Sequence, residues 1–480
     1  MADLSVQLTA PNGLTWTQPI GLFINNQWVK CSTGEKIASI NPTTAKEITS
    51  VHAASAQDID AAVRAARAAL KNPCWRDMSG LERGKRMNRL AQLIEDNRHT
   101  LATIETIDNG KPYSVSFNDD LTETAETIRY YAGFADKVFG QVIDTTVDKF
   151  AYTVREPVGV CGQIIPRPQT GRANPLSILF LANLIVEAGF PPGVVNIVNG
   201  HGAVAGAALA SHMDVDKIAF TGSTATAKQI MKMASVNLKN ITLETGGKSP
   251  LIVFNDADLE QAVEWAHIGI MYNQGQICTA TSRILVQDEI YDRFLEAFKA
   301  QVKKVSKVGD PFEESTFQGP QVTQAQYDRI LSYIDVGKSE KATLVAGGKP
   351  FTGVGDGKGF FIEPTIFTDV SPKMRIYQEE VFGPFVVIAR FKEEEDAVEM
   401  ANDTTYGLGS AVFTTNLTRA HRVAKQIEAG MVWINSSQDS DWRIPFGGVK
   451  QSGIGRELGE AGLAAYSNIK AIHVNMKSKL

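Results

Sequence analysis

The sequence lacks the cysteine patterns that mark metal-binding or disulfide-bonded proteins. Its 480 residues include four cysteines, Cys31, Cys74, Cys161 and Cys278, which lie far apart. No CxxC motif or Cys/His ligand spacing occurs, so neither a zinc site nor a disulfide framework is indicated. We therefore predict no bound metal, and a reducing intracellular compartment fits this cysteine usage.

Long apolar runs and basic blocks are also absent. No run of 18 or more apolar residues occurs, which argues against a membrane-spanning helix. The net charge is −5 and the Lys and Arg residues are scattered, so neither nucleic acid nor an anionic membrane is an expected partner. The N-terminal stretch MADLSVQLTAPNGLTW has no basic region and no arginine, which predicts neither a signal nor a transit peptide.

These absences predict a cytoplasmic protein, and the C-terminus leaves one alternative open. Ser478, Lys479 and Leu480 match the tripeptide that directs proteins to peroxisomes. A polar tail can also end in these three residues by chance.

What is present is an α/β pattern on a chain long enough for two or three domains. Strand-like runs alternate with helical stretches, which predicts parallel βαβ units. In the first such region we expect a buried strand at Pro157–Pro166, a helix at Leu176–Glu187, and strands at Val194–Val198 and Lys217–Phe220. Before it, residues 140–156 alternate polar and apolar side chains, which predicts a hairpin or ribbon.

Glycine and serine follow several of these predicted strands. Gly202, Gly206, Gly222 and Ser223 stand where a helix is about to begin. Such turns offer backbone N–H groups to a phosphate. For Ser223 or Gly202 taken singly, a structural helix cap is an equally good interpretation.

Two residues have surroundings typical of catalytic groups. Cys278 lies in MYNQGQICTATSR, a polar turn with a glycine, where a thiolate can attack a carbonyl carbon. The alternative is an inert core cysteine. Glu244 ends a predicted strand before Gly246 and Gly247, where its carboxylate can reach a site or remain a solvated loop residue.

Eight motifs in order along almost the whole chain resemble the NAD(P)-dependent aldehyde dehydrogenase superfamily, near its cytosolic fungal members. They are DNGKP (Asp108–Pro112), YYAG (Tyr130–Gly133), FTGST (Phe220–Thr224), LETGGKSP around Glu244, QGQICTATSR around Cys278, EEVFGPF (Glu379–Phe385), YGL (Tyr406–Leu408) and PFGGVKQSGIGRELG (Pro445–Gly459). Each motif is loose by itself, but the ordered set is specific.

The resemblance implies oxidation of an aldehyde to an acid through a cysteine thiohemiacetal and thioester. Cys278 would be the nucleophile and Glu244 the general base, while Trp442 and Phe446 would line the aldehyde funnel. The implied cofactor is NAD, with NADP possible. Its contacts would fall on Ile165, Pro166, Gly202, Gly206, Gly222, Ser223, Leu243, Gly246, Glu380 and Phe382.

The resemblance also implies a domain division. Residues 1–139 and 157–246 would form a Rossmann-type cofactor domain, and 247–446 an α/β catalytic domain. Residues 140–156 and 463–480 would form a β-ribbon arm that joins copies into a dimer or tetramer.

One departure from the family follows Pro166. There the family continues with Trp-Asn, a helix and a strand that carries a ribose-binding lysine, whereas here seven residues lead to Asn174. Seven residues cannot hold a helix and a strand. The resemblance therefore implies a cofactor domain one helix and one strand short, without the oxyanion asparagine and that lysine. We expect exposed sheet edges and apolar helix faces such as Leu179–Leu184, with impaired turnover.

This departure keeps two alternatives to a full dehydrogenase open. One is a catalytically inactive protein of the same fold, or a shortened splice or gene-model product. The other is a thioesterase that uses Cys278 and Glu244 without a cofactor.

Overall fold

The computed structural model describes residues 4–165 and 174–477, so Pro166 and the tripeptide at 478–480 lie outside the described residues. The strands, in chain order, are β1 Ser5–Thr9, β2 Thr15–Pro19, β3 Leu22–Ile24, β4 Gln27–Val29, β5 Lys36–Asn41, β6 Lys46–His52, β7 Val142–Thr146, β8 Lys149–Pro157, β9 Cys161–Ile164, β10 Lys217–Thr221, β11 Asn240–Glu244, β12 Pro250–Val253, β13 Arg283–Gln287, β14 Thr343–Ala346, β15 Thr365–Thr368, β16 Phe385–Phe391, β17 Gly409–Phe413, β18 Met431–Ile434, β19 Gly453–Ile454 and β20 Ser467–Asn475.

The helices are α1 Ala56–Lys71, α2 Pro73–Arg76, α3 Gly80–Asp96, α4 Arg98–Asn109, α5 Tyr113–Val115, α6 Leu121–Phe134, α7 Leu176–Glu187, α8 Ala207–Ser211, α9 Thr224–Ala234, α10 Leu259–Met271, α11 Tyr291–Val305, α12 Gln324–Ser339, α13 Arg375–Gln378, α14 Glu394–Asn402, α15 Leu417–Gln426 and α16 Gly459–Ala464. The α/β class is confirmed. In the described ranges, no helix has both the length and the apolar character needed to cross a membrane.

A seven-stranded sheet forms the largest layer, with the order β14-β15-β16-β13-β12-β17-β18. Its pairs are parallel except β14 with β15. Strand β12 is buried along its whole length, as expected for a strand covered on both faces. Its alternate residues pack on one side against α10 and α11, and on the other against a core built from α12, α14 and α15.

A second sheet has four strands in the order β19-β11-β10-β9. Strands β9, β10 and β11 are parallel, and β19 returns antiparallel to β11 from the C-terminal region. Helices α1, α8 and α9 contribute to the core on β10 and β11. Because parallel strands end at one edge, Ile164, Thr221 and Glu244 all lie at the same edge of this sheet.

The predicted ribbon is confirmed as strands. β7 and β8 form a hairpin, and β20 pairs with β8 over its full length from Ser467 to Asn475. The domain division at 1–139 with 157–246, 247–446, and 140–156 with 463–480 stays a prediction.

One strand prediction near the four-stranded sheet is wrong, and a second is confirmed only in part. Val194–Val198 forms only an isolated bridge, in which Ile197 exchanges hydrogen bonds of 2.8 and 2.9 Å with Phe23. The side chain of Asn196 also accepts from the backbone N–H of Asn25 at 2.9 Å. The segment thus pairs with the N-terminal hairpin of β3 and β4 and does not join the four-stranded sheet.

The strand predicted at Pro157–Pro166 is shorter and less buried than its apolar run suggests. It spans Cys161–Ile164, and Cys161 and Gln163 are exposed. Among residues 4–165 and 174–477 it pairs only with β10, so it is an edge strand. An apolar run predicts burial from composition, but it carries no information about how many neighbours the strand has.

Candidate active site

The chain reaches Cys278 through a tight left-handed turn after α10. Asn273, Gln274 and Gly275 all have positive φ angles, of 50°, 58° and 68°. A Cβ added at Gly275 would lie 1.9 Å from the carbonyl oxygen of Gly383, so only glycine fits there. The turn therefore sets the cysteine segment directly against the EEVFGPF loop.

Cys278 is partly accessible, and its own N–H and that of Thr279 interact favourably with the thiolate form. Backbone N–H groups next to a nucleophile are also the kind of donor that stabilises an oxyanion formed on the attacked carbon. Burial, then the charges of Glu380 and Glu244, raise the pKa of Cys278 from 9 to about 12. The thiol is therefore neutral at rest near neutral pH and needs a base to become nucleophilic.

Glu244 is such a base candidate at the end of β11. Its side chain is only 4% exposed, and neither carboxylate oxygen has a hydrogen-bond partner in the described part of the chain. Burial and the neighbouring charge of Glu457 raise its pKa to about 8. The carboxylate lies against Gly447, where an added Cβ would approach it to 2.7 Å.

Glu380 joins the same cluster through the glycine pair after Glu244. Its Oε1 accepts from the N–H of Gly247 at 3.1 Å, and a Cβ added at Gly246 would lie 2.1 Å from its Oε2. A Cβ at Gly247 would lie 2.7 Å from the carbonyl oxygen of Cys278. Gly246 and Gly247 thus lie between Glu380 and the Cys278 segment. Burial raises the pKa of Glu380 to about 7.

Of the predicted phosphate-binding turns, Gly222 and Ser223 directly follow β10, whereas Gly202 and Gly206 form a helical turn after the Val194–Val198 segment, which is not a strand of this sheet. Ser223 is the N-cap of α9, and its side chain accepts a hydrogen bond from the N–H of Thr226 at 3.3 Å. The interpretation of Ser223 as a helix cap therefore agrees with the structure. The N–H of Gly222 donates to the carbonyl of Glu244 at 3.0 Å. Gly202 and Gly206 have nothing within 4 Å of an added Cβ, so the space where a side chain would lie is open at both positions.

The predicted strand-end contacts differ in accessibility. Ile165 is 60% exposed at the end of β9, whereas Leu243 is buried in the core and offers only its main chain. The predicted contact at Pro166 lies outside the described residues. Ile165, Gly222, Ser223, Leu243 and Gly246 thus lie at or next to the strand ends of this sheet, and their role toward a cofactor stays a prediction.

The comparisons with known proteins identify the family. The aldehyde dehydrogenase family model matches residues 28–166 and 170–472. An aldehyde dehydrogenase from Alternaria alternata is 49% identical, covering 98% of both chains, and one from Emericella nidulans is 48% identical, covering 100% of both. This chain belongs to the aldehyde dehydrogenase family.

Solved structures support the same assignment at the level of the fold. The NAD⁺ complex of an aldehyde dehydrogenase from Bacillus cereus is 44% identical, with a TM-score of 0.92 over 95% of this chain and 97% of that chain. A curated relative in Saccharomyces cerevisiae, "Aldehyde dehydrogenase [NAD(P)+] 1", is 48% identical over 96% of each chain. The aldehyde dehydrogenase-like fold is therefore confirmed.

The two predicted funnel residues are anchored to the segment that follows them. Phe446 and Glu457 exchange backbone hydrogen bonds of 2.7 and 2.8 Å, and the Trp442 carbonyl accepts from the N–H of Gly459 at 2.9 Å. Both aromatic side chains are half-buried. Their role toward an aldehyde stays a prediction.

Sequence reasoning missed the polar residues that hold this aldehyde dehydrogenase site together. Ser452 Oγ donates to the Gly246 carbonyl at 2.7 Å. Gln326 donates to the carbonyl of Phe382 at 2.7 Å, which fixes that residue at a φ of 64°. Gln438 exchanges two hydrogen bonds with Thr279, of 2.5 and 2.9 Å. Gln326 and Gln438 lie outside the quoted motifs, and although Ser452 lies inside one, its partner Gly246 is 206 residues away, so no local pattern predicts these contacts.

Proposed function

We propose that this chain oxidises an aldehyde to a carboxylic acid with NAD⁺ or NADP⁺, using Cys278 as nucleophile and Glu244 as general base. The observation that carries the proposal is the convergence of a cysteine turn with two buried carboxylates, Glu244 and Glu380. Family membership supplies the reaction class. Glu380 and the Gly246–Gly247 turn position the cysteine segment.

The first chemical step forms a bond between Cys278 Sγ and the aldehyde carbon. The thiol proton passes to the Glu244 carboxylate as that bond forms, because a thiol with a pKa near 12 carries little thiolate at rest, and Glu244 releases this proton before the hydrolysis step. The carbonyl oxygen becomes an oxyanion, and the N–H groups of Cys278 and Thr279 are the donors available to it. The product of this step is a thiohemiacetal on Cys278.

The residues present fit a dinucleotide at its phosphate end. The proposed cradle consists of the turn at Gly222 and Ser223, the N-terminus of α9, and the Gly202–Gly206 turn, where the space beside both glycines is open. Glu380 and Phe382 are the proposed contacts at the nicotinamide ribose. When bound, the dinucleotide would supply the hydride acceptor that converts the thiohemiacetal to a thioester.

Glu244 then completes the cycle. A carboxylate whose pKa is about 8 is a stronger base than an ordinary one and is still partly ionised at neutral pH. It removes a proton from water as that water attacks the thioester carbonyl. The acid leaves, and the thiol of Cys278 is restored.

We further infer that the cofactor domain is one helix and one strand short. The alignment with the Emericella relative covers both chains fully but spans 503 positions, against 480 residues here. The family match is interrupted between residues 166 and 170, next to the edge strand β9. We expect weaker cofactor binding, and a loss of about 10²–10³-fold in rate if the missing oxyanion donor is not replaced.

The sheet of β7, β8 and β20 is the proposed homo-oligomer surface, for a dimer or tetramer. It exposes apolar side chains, including Val142 at 75%, Val147 at 96% and Ile469 at 64%. Such a patch is typical of an interaction surface. We keep the cytoplasm as the proposed compartment and the peroxisome as the alternative from the C-terminal tripeptide.

The test is NADH formation from a simple aliphatic aldehyde. Cys278→Ala should abolish it, while the matched control Cys74→Ala, at an exposed cysteine, should leave it unchanged. Turnover by Cys278→Ala equal to that of the wild type would overturn the nucleophile assignment. Folded protein that neither binds NAD⁺ nor forms NADH would instead favour the inactive-protein alternative.

A further inference from the structure

Cys278 and Thr279 are the two central residues of a β-turn. The N–H of Ala280 donates to the carbonyl of Ile277 at 3.0 Å, which closes the turn. The N–H groups of Cys278 and Thr279 take no part in that closing hydrogen bond, and both interact favourably with the thiolate form of Cys278. The orientation of the turn therefore decides how well these two donors are directed at the sulfur.

One side chain from a distant segment holds the second central residue of this turn. Gln438 accepts a hydrogen bond from the Thr279 hydroxyl at 2.5 Å, and the amide N–H of Gln438 donates to the Thr279 carbonyl at 2.9 Å. Thr279 is only 2% exposed. Because one planar amide bonds both polar groups of Thr279, a rotation of that residue would break two hydrogen bonds at once.

The segment that carries Gln438 is itself anchored by other contacts. The side chain of Asn435 bonds both the N–H and the carbonyl of Thr414, at 3.0 and 3.1 Å. The ring N–H of Trp433 donates to the carbonyl of Asp439 at 2.8 Å. Gln438 lies between these two anchored residues, with a φ of 61° in the left-handed region. The segment is thus a fixed support for the turn.

Other contacts hold the residues on either side of Thr279. The carbonyl of Cys278 lies against Gly247, where an added Cβ would approach it to 2.7 Å. The N–H of Thr281 donates to the carbonyl of Gly269 at 2.9 Å. These contacts restrain the start and the exit of the turn, and Gln438 restrains its second central residue.

We propose that Gln438 is a positioning residue for the nucleophile, which holds Thr279 so that the N–H groups of the turn stay directed at Cys278 Sγ. The same donors would serve the oxyanion, and that part of the inference rests on the proposed function. The effect on the sulfur does not. Gln438 is neutral, so removing its amide alters no charge near the sulfur.

The size of the effect follows from the donors that become misdirected. A hydrogen bond to a charged atom changes an equilibrium by roughly ten- to a hundredfold. A thiolate that loses it becomes more nucleophilic, which recovers about half of that change on a logarithmic scale. Alkylation of Cys278 should therefore slow about three- to tenfold at neutral pH. General loosening of the fold predicts the opposite, because greater exposure of the sulfur speeds alkylation.

The test is iodoacetamide labelling of the cofactor-free full chain, with Cys278 measured against the exposed Cys74 in the same sample. Gln438→Met keeps the length of the side chain, removes both hydrogen bonds and should slow labelling of Cys278 about three- to tenfold. The matched control Gln287→Met removes a similar pair of hydrogen bonds to main-chain groups, at the carboxyl end of β13, and should have no effect. Unchanged or faster labelling in Gln438→Met would overturn the proposal.

Variants of Thr279 keep the test valid if Gln438→Met fails to fold. Thr279→Val removes the hydroxyl but keeps the shape of the side chain, and it should slow labelling of Cys278. Thr279→Ser keeps the hydroxyl and should label as the wild type does. Adding Thr279→Val to Gln438→Met should change the rate by less than about twofold, because both remove the same contact. Multiplied effects, or equal labelling of Thr279→Val and Thr279→Ser, would refute the proposal.

Turnover gives a second measurement that a merely structural role would not move. Gln438→Met should lower kcat for aldehyde oxidation at least about tenfold and leave KM for the aldehyde nearly unchanged, because the donors act on the transition state. A raised KM with unchanged kcat would mean that Gln438 binds the aldehyde and would contradict the positioning role. A wild type that forms no NADH would overturn the proposed function, while the labelling rates would still decide the role of Gln438.

Discussion

The protonation state of Cys278 gives the sharpest quantitative prediction. Burial and the charges of Glu380 and Glu244 raise its pKa from 9 to about 12. Three pH units reduce the thiolate fraction about a thousandfold at neutral pH. A thiolate of higher pKa is intrinsically more nucleophilic, with a Brønsted slope of about 0.4–0.5, which recovers roughly 16- to 32-fold. The net expectation is alkylation about 30- to 60-fold slower than that of an ordinary free thiol.

The assay is iodoacetamide labelling of the cofactor-free protein, with Cys278 followed by peptide mass spectrometry and N-acetylcysteine as the reference thiol. The labelling rate should keep rising with pH through about pH 10, because the thiol has not yet titrated there. Glu380→Gln should raise the rate several-fold, since it removes the stronger of the two opposing charges. Glu126→Gln is the matched control and should have no effect.

A labelling rate that levels off below about pH 9 would refute this reasoning. So would a rate equal to that of N-acetylcysteine. Either result would mean that the thiolate of Cys278 is stabilised in the resting protein, and that no base is needed to start the reaction.

Three further predictions concern the base, the fold and the shortened domain. The rate of acid formation should rise with pH with an apparent pKa near 8, where Glu244 ionises, and Glu244→Gln should remove this rise from steady-state profiles. Burial raises the pKa of Asp108 to about 7, so between about pH 4 and 7 the folded state binds a proton that the unfolded state does not. As the pH rises through this range, the free energy of unfolding should fall by up to about 1.4 kcal/mol per pH unit. Urea unfolding of Asp108→Asn should lack this slope. Insertion of a family-like helix and strand between Pro166 and Asn174 should raise NADH formation sharply, and no change would show that the shortened domain already compensates.

Periodicity predicted the helical and ribbon elements well, since these depend on local pattern. The helix predicted at Leu176–Glu187 has those bounds in the structure, and residues 140–156 form part of the three-stranded sheet. The predictions failed where the neighbours of a segment decide its state. Val194–Val198 is held by the N-terminal hairpin, and the strand at Cys161–Ile164 lies at an edge.

The candidate site was also predictable from the sequence only in part. The motifs around Cys278, Glu244 and Glu380 were evident in the sequence, and the structure brings these three residues into one electrostatic cluster. The bridging contacts of Ser452 and Gln438 were not evident, because a polar residue that joins two distant loops cannot be distinguished from a surface residue in a linear sequence. Their contacts exist only once the two sheets are assembled.

The central claim is that Cys278 carries the acyl group during turnover. The most direct measurement is rapid quenching of the enzyme with an aliphatic aldehyde and NAD⁺, followed by mass spectrometry of its cysteine peptides. A thioester on the Cys278 peptide, which accumulates in Glu244→Gln because hydrolysis is slowed, is the predicted result. NADH formation with no acyl group on Cys278, or with the acyl group on Cys31, Cys74 or Cys161, would contradict it.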